Sequence, residues 1–338
     1  IEMIFAELFL MLIVILIAAE VFTNALEHLG EKLGISEGVT GSLFAAVGTA
    51  LPETSVPLLA LLAGTSDAHL NEEIGVGAIL GAPLMLSTLS ISLLAFAVLK
   101  NRKLSGHFHP ERTGLKRDLD FFIAAFAFAT AALFVPHEVR VVRYAFGFAM
   151  VLIYFVYIML TLRASKDLVA EGHATEAEEP MFMCRLGLPN TMVVVGTQLA
   201  LGLGLLILGA KGFIAGIQDA SELLSISPLL LSLLVIPIAT ELPEKVNSIL
   251  WVRKGKDTLA FGNITGALVF QGTLLPAIGI MLTPWVPQKE VFAGVVVTLL
   301  GVIWLRWMIS RGQIRVWHVW INGLLYIGYL ILVLNHHS

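Results

Sequence analysis

Charge is what this chain has least of. Asp, Glu, Lys and Arg make up 14% of its 338 residues, against about 25% in a water-soluble domain. That shortage, with 57% hydrophobic residues and a mean hydropathy of +0.87, excludes a soluble globular protein and implies a polytopic membrane protein. Cysteine occurs once, at Cys184, so no intrachain disulfide can form. Basic clusters of the kind that bind nucleic acid are missing. No basic stretch precedes the first apolar run either. Glu2 stands there, so residues 3–21 are expected to be a retained span and not a cleaved signal.

What is present is a succession of apolar runs long enough to cross a bilayer. Ten are expected, at 3–21, 38–62, 74–99, 119–136, 139–162, 189–210, 226–252, 258–282, 290–309 and 316–334. Little more than Pro136-His137-Glu138 separates the fourth from the fifth. Lys and Arg concentrate after the odd-numbered runs, sixteen against four elsewhere. Because cytoplasmic loops are the basic ones, both termini are expected outside and the polar 163–188 connector inside, solvated and mobile. The connector divides the chain into a first five-helix repeat, 1–162, and a second, 189–338. Without a large cytoplasmic domain, a prokaryotic plasma membrane is the expected location. His107 and His109 are expected in a plain loop, and Glu20 and Lys211 as interfacial anchors.

The two halves resemble each other. At a constant offset of 191, Phe22 meets Phe213, Glu31 meets Glu222, Ile35-Ser36 meets Ile226-Ser227, Thr49 meets Thr240, and Leu51-Pro52-Glu53 meets Leu242-Pro243-Glu244. At an offset of 185, Gly77 and Gly81 meet Gly262 and Gly266. An odd number of spans in each half makes the repeats inverted, an architecture of secondary transporters built on broken helices. Pro52 and Pro243 each remove a helical hydrogen bond and free a carbonyl a turn earlier. Thr49 and Glu53, like Thr240 and Glu244, are four apart and share a helix face. Carboxylates, hydroxyls and freed carbonyls are the oxygen donors that hard cations take. The glycines spaced by four are expected to let helices approach closely. Glu241 and Lys245 are also four apart, so Glu241 is either a further ligand or proton carrier, or is neutralised by a Lys245 snorkelling toward the helix end.

At the Pro-Glu turns the sequence resembles the calcium/cation antiporter superfamily, whose fold is that of the sodium/calcium exchangers. The family stretch Gly-Thr-Ser-Leu-Pro-Glu stands here as Gly48-Thr49-Ala50-Leu51-Pro52-Glu53 and Ala239-Thr240-Glu241-Leu242-Pro243-Glu244. The resemblance implies an all-α integral membrane protein of ten helices that exchanges a divalent cation, Ca2+ above all, for Na+ or H+. It implies Glu53 and Glu244 as direct cation ligands, Thr49 and Thr240 as helpers, and no cofactor. It also implies that spans one and six are the mobile ones. The second family stretch, Gly-Asn-x-x-Gly-Ser-Asn-x-x-Asn, survives as Gly77 and Gly81 in the first half, with Pro83 and apolar residues elsewhere. The second half keeps Gly262, Asn263 and Gly266 and ends on Gln271. Asn263 and Gln271 are candidate ligands, or amides that pack helix on helix. The serine positions are Ala82 and Ala267, which removes hydroxyls that serve sodium in the family. Two rivals stand beside the antiporter. One is a membrane metal hydrolase, disfavoured because no His-Glu-x-x-His motif or nucleophile elbow occurs. The other is a degenerate relative that binds a cation without transporting it.

Overall fold

A computed structural model describes residues 2–33, 37–64, 66–169 and 179–335, with backbone only for Glu2, Gly30, 37–49, Leu162, 164–169, 242–244 and Asn247. The fold is all-α. Its helices are α1 (Glu2–Lys32), α2 (Glu37–Ala63), α3 (Ala68–Met85), α4 (Ile91–Arg102), α5 (Arg112–Ala132), α6 (Arg140–Val169), α7 (Phe182–Arg185), α8 (Met192–Leu224), α9 (Pro228–Arg253), α10 (Asp257–Leu282), α11 (Lys289–Ser310) and α12 (Val316–Leu334). A π-helical turn, Leu86–Ser90, joins α3 to α4 without a break. Ten long helical segments result, and the fourth and fifth expected spans are separate helices. Seven described segments are long and apolar enough to cross a bilayer, and shorter apolar stretches lie in α2 (Ala50–Ala63) and α9 (Pro228–Glu241). The chain is an integral membrane protein of ten helices in two inverted repeats.

The repeat is visible in helix lengths. Shifting α1 and α2 by 191 residues gives 193–223 and 228–254, within a residue of α8 and α9. Three expectations change. Helices α1 and α8, with 31 and 33 residues, run past their expected spans because Asn24, Glu27, His28 and Glu31 continue the helix. At 1.5 Å per residue each is roughly 45–50 Å long, well beyond a bilayer core of about 30 Å, so each tilts or protrudes. Helices α2 and α9 run unbroken through Pro52 and Pro243. Lastly, the described end of the connector is docked and not free. Within it, Phe182 N donates to Asn24 Oδ1 (3.1 Å), Met183 N to Gln198 Oε1 (3.0 Å), and Lys32 Nζ to Asn190 O (2.9 Å). Residues 170–178 lie outside the described part.

Packing divides the chain into two compact units, residues 1–68 with 158–224, and residues 69–157 with 225–338. In the first, α1 and α8 pack antiparallel through a glycine seam. A Cβ placed on Gly202, Gly209 or Gly216 would lie 3.0 Å or less from Phe22, Ile15 and Leu8 respectively. Both series step by seven residues, one rising as the other falls, and that period is a helix-seam repeat. Only the missing side chains allow the two backbones this approach.

In the second unit α3, the π turn, α4 and α10 are innermost. Of their most apolar stretches 72% (α3 to α4) and 67% (α10) is buried, against 17% for α6, whose large apolar side chains face outward. Gly77 and Gly81 do what their spacing suggests. An added Cβ would fall 2.1 Å from Ser232 Oγ and 2.1 Å from Leu233 O on α9. No described atom lies within 4 Å of one added at Gly262 or Gly266. The π turn follows Pro83 within one helical turn and leaves a carbonyl to be met from outside. Asn322 of α12 meets it, donating Nδ2 to Ser87 O (2.7 Å) and to Gly301 O of α11 (3.0 Å).

Both ends of α10 are tied down. Arg102 forms a bidentate pair with Asp257 at its start (2.8 Å twice) and also donates to Val252 O (3.0 Å). At its other end the buried Arg143 donates to the carbonyls of Ile280, Pro284 and Thr283, replacing partners that a helix C-terminus lacks. The stretch holding His107 and His109 is not a plain loop. His107–Phe108 pairs antiparallel with Ile314–Arg315, His109 N donates to Asp257, and Glu111 caps α5 through Thr113 N and Gly114 N. Burial pulls the Glu111 pKa up, and the Gly114 and Thr113 N–H groups outweigh it and hold it below the usual value.

Gly81→Val forces backbone apart where α3 meets α9. A loss of about 1–3 kcal/mol is expected, read as a lower unfolding temperature in detergent, with Gly262→Ala nearly neutral.

Candidate cation site

Helix α9 begins with strong start signals. Ser227 is its N-cap, accepting from Leu230 N at 3.1 Å, and Pro228 follows in the first turn. Three turns on, Thr240 returns its hydroxyl proton to Ile236 O (3.0 Å), which leaves the oxygen's lone pairs available. Next come the residues that a membrane helix should exclude. Glu241 and Lys245 are 0% and 1% exposed, and Lys245 Nζ lies 3.2 Å from Glu241 Oε2. Lys245 therefore does not snorkel to the helix end; it is enclosed where it stands. From α10 the fully buried Gln271 donates Nε2 to Glu241 Oε1. One carboxylate oxygen thus accepts a hydrogen bond from a neutral amide, and the other faces the ammonium as an ion pair.

Asn263, two turns before Gln271 on α10, donates Nδ2 to Ser248 Oγ of α9 at 2.9 Å. Its amide thus holds α10 to α9 one turn beyond Lys245. Glu53, on α2 in the other unit, is 5% exposed, and Ser55 Oγ donates to Pro52 O at 3.0 Å in the same turn. The side chains of Thr49 and Glu244 fall outside the described residues. So the structure brings Glu241, Lys245 and Gln271 together, sets Asn263 on a separate α9–α10 contact, and buries Glu53. Among the described residues no three His, Cys, Asp or Glu side chains are placed to hold a metal.

A further buried carboxylate was not foreseen. Asp118 of α5 accepts from Tyr157 OH of α6 (3.0 Å) through Oδ1 and from Thr265 Oγ1 of α10 (2.6 Å) through Oδ2. Thr265 lies inside the Gly262–Gly266 stretch, so Asp118 fixes the rotation of the helix that carries Asn263 and Gln271. The sequence held a faint signal, an acidic residue directly before an apolar run. Its partners were 39 and 147 residues away.

Comparisons with known proteins bear on this arrangement. The family described as sodium/calcium exchanger protein matches residues 3–163 and 195–335, covering both repeats. A protein of Alkalimonas amylolytica, provisionally named antiporter CaxA, is 24% identical over 287 residues, covering 81% of this chain and 79% of its own. An inner membrane protein of Escherichia coli K12, YrbG, is 24% identical over 273 residues, covering 81% of this chain and 78% of its own. Among solved structures, the H+/Ca2+ exchanger CAX superposes with a TM-score of 0.70 at 18% identity, over 97% of this chain and 82% of that one. The sodium-calcium exchanger NCX_Mj does so with 0.56 at 19% identity, over 98% and 99%. At such identities the likeness is one of fold.

Removing the Asp118 carboxylate strands two buried hydroxyls. Asp118→Ala is expected to lower stability by about 2–3 kcal/mol, and Asp118→Asn, which keeps one acceptor, by about 1 kcal/mol. Thermal unfolding of the purified variants measures both.

Proposed function

The chain belongs to the sodium/calcium exchanger protein family, and on that premise we propose that it is a secondary antiporter moving a divalent cation, Ca2+ first, against Na+ or H+ by alternating access. The duplicated Leu-Pro-Glu turn carries the reading. It recurs at 51–53 and 242–244 on two helices of matching length, α2 and α9. In this reading Glu53 and Glu244 are the cation's ligands, Thr49 and Thr240 add oxygens, and Gln271 and Asn263 orient the helices around them. No cofactor takes part, and no bond is made or broken, which sets the protein apart from an enzyme.

Two observations refine the counter-ion. Ala82 and Ala267 offer no hydroxyl where sodium would want one, and Glu241 is already engaged by Lys245. Both favour a proton over a row of sodium ions. The basic segments after the odd-numbered spans support termini outside and the 163–188 connector in the cytoplasm, in the plasma membrane of a prokaryote. The apolar faces of α1, α6 and α8, rich in exposed Leu, Phe and Val, are its lipid contacts.

Reconstituted into liposomes, the protein should take up radioactive Ca2+ when a pH gradient is imposed, and less or none under a sodium gradient. Glu244→Gln and Glu53→Gln should each cut uptake by at least about a hundredfold, since each removes a charged ligand from a low-dielectric site. Uptake equal to that of empty liposomes under both gradients would sink the reading.

A further inference from the structure

The two repeats match at the Pro-Glu turn and differ beside it. At the offset of 191, Glu241 and Lys245 face Ala50 and Thr54 in the first repeat. At the offset of 185, Gln271 faces Leu86. The first repeat is neutral and largely apolar at all three positions. In the second, the carboxylate, the ammonium and the amide occur together and contact one another: Lys245 Nζ is 3.2 Å from Glu241 Oε2, and Gln271 Nε2 donates to Oε1. Three polar groups whose repeat counterparts are all different form one assembly. Packing alone does not require it, because Ala50, Thr54 and Leu86 occupy the counterpart positions without it.

An alkylammonium carries the charge of an alkali ion, is similar to one in size, and is attracted by the same oxygen donors. Tethered one helical turn from Glu241 and 1% exposed, the Lys245 head cannot diffuse away or exchange with solution. We propose that Lys245 is a built-in monovalent cation: its ammonium fills the place at Glu241 and Gln271 that would otherwise take an alkali ion. The place is thereby withheld from Na+ and K+, and Glu241 is withheld from the divalent cation. This extends the antiporter reading by assigning Glu241 a fixed partner in place of a transported one, and it makes a prediction about monovalent binding that does not depend on divalent transport.

The test uses the purified full-length chain in detergent. Unfolding temperature is titrated with LiCl, NaCl and KCl at constant ionic strength, balanced with choline chloride, and Ca2+ binding is measured by calorimetry. Wild-type stability should not distinguish the alkali salts from choline. Lys245→Met keeps the length of the side chain and removes its charge. It should acquire a saturable stabilisation of several degrees by at least one alkali cation, as binding to the folded state alone requires. Glu241→Gln/Lys245→Met should lose that response, and should bind Ca2+ within about threefold of wild type, as for a site not shared with the pair.

An unresponsive, folded Lys245→Met would overturn the inference. So would a drop in Ca2+ affinity of more than about tenfold in the double variant, which would make Glu241 a divalent ligand. If Lys245→Met fails to fold, the double variant, which has no unpaired charge, decides through its Ca2+ affinity alone. Absence of Ca2+ binding by the wild type would fault the antiporter reading instead, and the alkali titration of Lys245→Met would still decide the role of Lys245.

Discussion

An ionised carboxylate enclosed in a membrane protein is costly unless its charge is met, and Lys245 meets the charge of Glu241 within one turn of α9. Placing either charge alone at bilayer depth costs several kcal/mol. The attraction between them is strong only where water is kept away. Both conditions fall on the neighbours of α9. Gly77 and Gly81 bring the backbone of α3 against Ser232 and Leu233. From the α10 side, Gln271 reaches the second carboxylate oxygen and Asn263 holds Ser248. Tight packing around α9 and the survival of its charges are therefore one requirement.

That requirement explains the rigid fittings of α10. A Gln271 displaced by about an ångström would leave a charged oxygen without its neutral donor, at a cost of the order of 1–3 kcal/mol. Helix α10 is fixed axially by Arg102 on Asp257 and by Arg143 on the carbonyls of its far end. It is fixed in rotation by Asp118 on Thr265. The first unit follows a different rule. Between α1 and α8 the glycines at 202, 209 and 216 give a smooth seam of close backbone contact, with polar bonds gathered at one end around Asn24 and Gln198. A seam made mostly of dispersion contacts has no preferred charge arrangement to preserve, whereas α9 and α10 are bound by directional ones.

Much of this was legible in the sequence because it rests on local pattern. The apolar runs fixed the number of helices, and the constant offsets of 191 and 185 revealed the repeat before any packing was known. The spacing of four made the pairing of Glu241 with Lys245 one of the two readings the sequence offered. What sequence could not decide was whether Lys245 leaned outward or stayed in, because that depends on the helices that enclose it, α10 with Gln271 among them. Helix ends were missed where polar residues continue a helix, as Asn24 to Glu31 do in α1, since a hydropathy window stops where charge begins. The unbroken course of α2 and α9 through their prolines was missed for the opposite reason. A proline removes one hydrogen bond and crowds one carbonyl, and a packed bundle can absorb both. Asp118, the glycine seam and the docking of residues 179–190 on α1 and α8 depend on partners far apart in the chain, which no single window contains.

The asymmetry between the repeats has a consequence in charge. With both ionised, Glu241 and Lys245 carry no net charge between them. An alanine and a threonine, which the first repeat has at 50 and 54, would carry none either. Glu241 and Lys245 therefore leave the net charge of the second repeat unaltered, and their mutual neutrality is the condition under which a buried pair is tolerated. What they add is directional. A carboxylate anchored by its own lysine and by Gln271 ties α9 to α10 at the level of the second Pro-Glu turn. At that level α9 is held to α10 by directional bonds between charged and polar groups and not by contact alone.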